Sequence, residues 1–283
     1  VMEKLKIGPN DCHDELIYGR MTGWGQSGML SKTAGHDINY LGITGALHAI
    51  GNRKKPIPPL NLVADYGGGS MFLIFGILAA LYERALSGKG QTIDAAMVDG
   101  VPAMMGLFHQ QIAKGSWTDG ERQSNLLDGG APFYRCYECA DEKFISVGAL
   151  EPQFFAELVE IVKLPEIDLV TQNDRTTWAE KNKVYEKIFK SKSRDEWSKI
   201  FEGTDACVTP ILTLEEAKKY PANLEREVFF ERDGMIQASP APRFGRTQNP
   251  KPGRIRGIGS NSEEILKEIG LDQQEIDELK NSN

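Results

Sequence analysis

A chain of 283 residues, 40% hydrophobic and 26% charged, has the length for one large or two ordinary domains and the composition of a globular protein. Its net charge of −7 excludes the broad basic footprint of a nucleic-acid binder, although a few local Lys and Arg side chains suffice to hold an anionic small molecule. Cys12, Cys136, Cys139 and Cys207 are too few and too scattered for a disulfide framework, which points to a reducing, intracellular compartment.

Residues 16–21 (LIYGRM) read as a short buried strand, followed by a glycine-broken loop over 22–28. A helix is expected from near Asp37. Pro56, Pro58 and Pro59 then break the chain before an apolar strand over 60–64, which Asp65 closes. Tyr66, Gly67, Gly68, Gly69 and Ser70 lead into an apolar helix over 71–86. The longest apolar run, 71–81, contains Gly76 and is followed by Tyr82, Glu83 and Arg84. It falls short of the roughly 18 residues of a membrane span and reads as a buried helix, so no span is expected. A strand over 91–93 and a helix over 95–114 complete an α/β alternation.

The pattern changes near Asp128. Residues 133–139 and 143–148 read as two strands around a turn at 140–142. Polar helices follow over 152–162, 176–189 and 193–201. A proline-rich return segment spans 239–259, and its Arg243, Arg246, Lys251, Arg254 and Arg256 read as a solvated face rather than a phosphate site. Two short helices close the chain over 262–269 and 273–279, with Gly270 placed as a C′ residue and Asp272 as an N-cap. The expected organisation is therefore a large α/β domain over 1–130, a small α+β domain over 131–235, and a return linker with closing helices over 236–283. The few strands of the first part leave a sheet edge uncovered, and the first residue is Val1 rather than Met. A chain lacking the N-terminal part of its large domain is expected. No signal peptide is expected from its opening residues, and the last residues, Asn281-Ser282-Asn283, do not read as a peroxisomal tripeptide.

Of His13, His36, His48 and His109, only His36 has a functional setting, AGHDINY at 34–40. Gly35 permits close backbone approach by a ligand, Asp37 and Asn39 suit a helix cap, and Tyr40 suits a pocket wall. Imidazole is the side chain best suited to accept a proton near neutral pH. Asp65 stands before a triple glycine and a helix, where α/β folds gather ligands and charge. Glu151 precedes Pro152, a fitting first helical residue. Each also has an ordinary reading: a satisfied structural histidine, an N-cap aspartate, and a carboxylate complementing a helix dipole. Cys136 and Cys139 lie three apart on a strand, facing opposite sides with no second pair or nearby His, so no metal site is expected. No GxSxG elbow, GxGxxG or Walker loop is present.

The strings GRMTGWGQSG (19–28), AGHDINYLGITG (34–45), PLNLVADYGGGSM (59–71), LSGKGQTIDAAMVDG (86–100), LLDGGAPFYRCY (126–137), VGALEPQFF (147–155) and GTDACVTPIL (203–212) together resemble the α-methylacyl-CoA racemases, within the type III CoA-transferase superfamily. The resemblance implies the type III CoA-transferase fold: a Rossmann-like large domain plus a smaller α+β domain, assembled as an interlocked homodimer. It implies an acyl-CoA thioester as substrate and 1,1-proton transfer at C2 of a 2-methylacyl-CoA, without metal or organic cofactor. His36 and Asp65 are then the acid/base pair on opposite faces of the α-carbon, and Glu151 is the partner of His36. Gly35, His36, Asp37, Ile38, Asn39 and Tyr40 line the acyl-CoA site, and Lys4 stands near the CoA phosphates. Backbone N–H groups of Asp65 and Gly67 are suitable donors to an enolate oxygen. The acyl chain would be a branched fatty acid or a bile-acid intermediate. The expected compartment is the mitochondrion or peroxisome in a eukaryote, otherwise the cytoplasm. Two rival readings are a type III CoA-transferase with Asp65 as nucleophile, and an inactive shortened form acting only as a dimer partner. The His36 and Glu151 segments favour the racemase, because a transferase needs no second acid/base group on the opposite face.

Overall fold

Ile17–Thr22 (β1) and Gln91–Ala96 (β2) pair in parallel, with Ile17 opposite Gln91 and Thr22 opposite Ala96. Parallel neighbours require a long crossover. Here that crossover carries α1 (Asp37–Ile43), α2 (Ala46–Ala49), a π-helix (Leu62–Met71) and α3 (Phe72–Ser87). This is the architecture of a computed structural model that describes residues 2–281, in two units that divide after Ile211. α3 lies on both strands at points without side chains: Leu73 and Ile77 reach Gly19 of β1, and Ile93 of β2 reaches Gly76. Gly88, at φ 76°, ends α3 in the left-handed conformation and donates its N–H to the Arg84 carbonyl at 2.8 Å.

The strand expected over 60–64 does not form. Residues 62–71 wind instead in π register, and the Tyr66 N–H donates to the Asn61 carbonyl, five residues back, at 3.4 Å. The triple glycine contributes no side chains of its own, which lets the widened turn lie close against α4 (Met97–Met104). A Cβ on Gly68 would lie 2.9 Å from the Val101 nitrogen, and one on Gly100 would lie 1.9 Å from the Gly68 carbonyl oxygen. Around this contact Tyr40, Leu41, Ala46, Ala64, Met97 and Val101 form a buried cluster.

The π-helix and α3 are continuous, so Leu62–Ser87 is one helical stretch of 26 residues, long and apolar enough to cross a membrane by length and composition. The uninterrupted-run count missed it because the glycines divide the apolar residues. The helix expected over 95–114 is split in two. α4, with Pro102 inside it, ends at Met104, and α5 (Gly106–Ala113) restarts beyond Met105.

Further along the same unit, Tyr134–Glu138 (β3), Phe144–Gly148 (β4) and Val208–Ile211 (β5) form an antiparallel sheet in the order β3-β4-β5. The β3–β4 hairpin matches the sequence pattern; β5 was not foreseen. Pro152–Val162 (α6), Ile167–Val170 (α7), Trp178–Phe189 (α8) and Arg194–Phe201 (α9) accompany it. Phe133, Tyr137, Ile145, Phe155, Leu158, Tyr185, Phe189, Trp197 and Phe201 fill the second core. Within it Phe189 stacks on Tyr137 at 5.0 Å and meets Trp197 edge-on at 5.2 Å. The buried Tyr137 hydroxyl is shared between the Pro132 carbonyl (2.6 Å) and Asn182 Oδ1 (3.2 Å), while Asn182 Nδ2 donates to the Gly130 carbonyl at 2.9 Å. Tyr137→Phe strips two buried acceptors of their donor. It is expected to lower stability by about 1–3 kcal/mol, read as a fall in the urea midpoint at constant slope.

The second unit contains α10 (Leu214–Ala217), α11 (Pro221–Glu225), β6 (Phe229–Arg232), β7 (Met235–Ala238), α12 (Ser262–Glu268) and α13 (Gln273–Asn281). Asp233 and Gly234, at φ 51° and 74°, form the two-residue turn of the β6–β7 hairpin. Asp272 caps α13 as its sequence position suggests: its carboxylate accepts the Glu275 N–H at 2.9 Å, and Glu275 returns an acceptor to the Asp272 N–H at 2.8 Å.

Candidate active site

His36 occupies the N-cap of α1, with φ −134° and ψ 173°, and its N–H donates to Asn39 Oδ1 at 3.0 Å. Close packing fixes this bend from beneath. A Cβ on Gly35 would lie 2.8 Å from both the Trp24 and Tyr40 rings, and one on Gly23 would lie 2.0 Å from Tyr40. The Tyr40 hydroxyl donates to the Gly35 carbonyl, and its ring meets Trp24 edge-on at 4.7 Å. Burial first, and then the charge of Asp65, holds the Tyr40 phenol above its ordinary range, so it acts as a neutral donor.

Asp65 lies near the start of the π-helix and shares a cavity of about 400 Å³ with His36. Gly35, Tyr40, Met21, Asn61, Tyr66, Ser70 and Met97 complete the lining. Asn61 Nδ2 reaches Asp65 Oδ2 at 3.4 Å, and Ser70 Oγ donates to the Asp65 carbonyl at 3.0 Å. Sequence reasoning singled out none of Met21, Asn61, Tyr66, Ser70 and Met97 as site residues. The four-residue spacing of Asn61 and Asp65 was the available signal, but it brings two side chains together only on a helix, and a strand was expected there.

The other expected site residues are placed differently. Asp37 does not line the cavity. It is 5% exposed, and its Oδ2 accepts the N–H groups of Ala64 and Asp65, each at 2.9 Å. The Asp65 N–H is therefore already engaged and is not the free enolate donor that the sequence suggested. The π register likewise turns the Gly67 N–H back along the helix. Ile38 and Asn39 are exposed on α1, and Lys4 is exposed on a 3-10 turn, Met2–Leu5; all three lie outside the cavity lining. Glu151 is exposed at the N-cap of α6, with Pro152 in the first turn. Burial first, and then the charges of Glu151, Asp205 and Glu157, push the Cys207 thiol up. Among the described residues no hydrogen bond or ion pair joins Glu151 to His36. Nor do three or more His, Cys, Asp or Glu side chains gather as metal ligands among the described residues.

The chain is 44% identical over 285 aligned positions to the α-methylacyl-CoA racemases of Mus musculus and Homo sapiens, covering 99% of this chain and 74% of each relative. A more distant relative, the (R)-2-hydroxy-4-methylpentanoate CoA-transferase of Clostridioides difficile, is 22% identical over 99% of this chain and 73% of its own length. In three dimensions the chain resembles a CAIB/BAIF family protein from Brucella suis, with a TM-score of 0.76 at 19% identity, covering 95% of this chain and 72% of that one. The likeness shows a shared fold. The sequence model of CoA-transferase family III matches residues 1–257. From that match and the 44% identity of the two mammalian relatives, this chain belongs to CoA-transferase family III.

Proposed function

We propose that the chain is an α-methylacyl-CoA racemase, which inverts C2 of a 2-methylacyl-CoA thioester by 1,1-proton transfer through an enolate. One observation carries the reading: an imidazole, His36, and a carboxylate, Asp65, line one cavity from two different helices. Inversion requires one group to remove the α-proton and another to deliver a proton to the opposite face, and His and Asp suit both tasks. Asn61 holds Oδ2 of Asp65, which leaves Oδ1 for the transfer. The thioester is itself the electron sink, so the mechanism calls for no metal or organic cofactor. The names of the mammalian relatives support the substrate class. A homodimer with interlocked subunits would bring Glu151 of a second copy to His36 and fix the imidazole's orientation.

A transferase would use Asp65 to attack the thioester carbonyl, forming a mixed anhydride and releasing the CoA thiolate. It has no use for an imidazole facing the same carbon, and His36 in the Asp65 cavity favours proton transfer. The test is incubation of each 2-methylacyl-CoA enantiomer in D₂O. Deuterium at C2 of the inverted product, from either enantiomer, is expected. Transfer of CoA to a free carboxylic acid, with the C2 hydrogen retained, would overturn the proposal.

A further inference from the structure

We propose that Asp37 is a positioning residue, whose buried carboxylate ties α1 to the π-helix and thereby sets the separation of His36 and Asp65. The inference rests on the racemase reading for its kinetic consequence but not for the tie itself. His36 and Asp37 are joined by one peptide bond, and Asp37 Oδ2 accepts the N–H of Asp65 at 2.9 Å. The path between the two proton-transfer residues thus runs through one side chain and one hydrogen bond. A second bond, from the Ala64 N–H at 2.9 Å, prevents rotation about the first. Both donors belong to the start of a helix, where N–H groups lack intrahelical acceptors and a negative charge is favoured. Charge-assisted bonds of this kind are the stronger sort.

The setting is costly for a mere surface cap. Asp37 is 5% exposed, and its Oδ1 is buried with no hydrogen-bond partner among the described residues. Ala64 is fully buried behind it, and Gly68 backs directly onto Val101 of α4. The π-helix is thus packed against α4 on one side and, on the α1 side, hydrogen-bonded to the Asp37 carboxylate beside the packing of Tyr40 and Leu41. Asp37 does not line the cavity, so its effect reaches the substrate only through its neighbours.

The experiment compares the full chain with Asp37→Asn and Asp37→Ala on both enantiomers in D₂O, measuring kcat, KM and the ratio of deuterium gained with retention to deuterium gained with inversion. For Asp37→Ala, kcat is expected to fall about 10²-fold, the loss typical of a misplacement near 1 Å, with KM little changed. The retention-to-inversion ratio should rise, because an enolate whose opposing group is displaced is reprotonated from the face it opened on. Asp37→Asn should lie between, since its amide oxygen preserves one acceptor; it carries the test if the alanine variant does not fold. Loss of folded protein alone would scale kcat and leave KM and the ratio untouched. An unchanged ratio in both variants, or a raised KM at constant kcat, overturns the positioning role. Hydrogen exchange at the Ala64 and Asp65 amides decides the tie independently of activity: faster exchange in the variants supports it, and parent-like exchange refutes it. Failure of the parent chain to invert either enantiomer would sink the racemase reading while the amide data still decide the tie.

Discussion

His36→Ala and Asp65→Ala are each expected to lower the inversion of a 2-methylacyl-CoA by about 10²–10⁴-fold, the range for removal of one well-placed acid/base group. The two losses differ in kind. On the proposed mechanism each enantiomer would present its C2 hydrogen to only one of the two groups, so each variant should retain deuterium exchange on the enantiomer facing the surviving residue. A chiral separation coupled to mass measurement reads inversion and exchange together. His36→Ala should exchange one enantiomer, Asp65→Ala the other, and neither should interconvert them at the parent rate. The double variant should be less impaired than the product of the single losses, because the pair acts as a unit. Parent-like inversion by His36→Ala, with loss of CoA exchange between acids in Asp65→Ala, would transfer the assignment to transferase chemistry.

Gly100→Ala is expected to lower stability by about 1–3 kcal/mol or more. Its new methyl would lie 1.9 Å from the Gly68 carbonyl oxygen, a backbone atom that no rotamer change can move aside. α4 must then withdraw from the π-helix. At roughly 2–4 °C per kcal/mol for a chain above about 150 residues, the fall is readable by calorimetry. Because the π-helix carries Asp65, activity should fall beyond the loss of folded protein. Gly106→Ala is the control: nothing lies within 4 Å of its Cβ position, and α5 should tolerate the methyl. A stable Gly100→Ala with full activity would show that α4 and the π-helix are not in the contact described.

Much of this arrangement is legible in the sequence. Strand β1, the β3–β4 hairpin, α6 and the cap at Asp272 follow from alternation, turn residues and Pro152, all of which act locally. His36 and Asp65 stand out for their glycine neighbours, and collinear motifs point to the family. The π-helix is not legible, because Leu60-Asn61-Leu62-Val63-Ala64 has the run length of a buried strand and glycines normally end an element. Only the close approach of α4 through Gly100 explains why three glycines continue a helix here. β5 escaped because four residues with Pro210 at their third position are a weak strand signal. The hydrogen bonds of Asp37 were not legible for a related reason: an acid in the first turn of a helix ordinarily serves its own helix, and nothing local reveals donors 27 and 28 residues away.

The π register of residues 62–71 makes chain length itself part of the chemistry. Surface loops absorb added or lost residues at small entropic cost. In this segment one residue fewer would relax the winding to ordinary α spacing, about 100° per residue, and swing the carboxylate off its bearing. Gene-level insertions and deletions here would act like substitution of Asp65, and length variation among natural homologues should stop at the edges of this stretch.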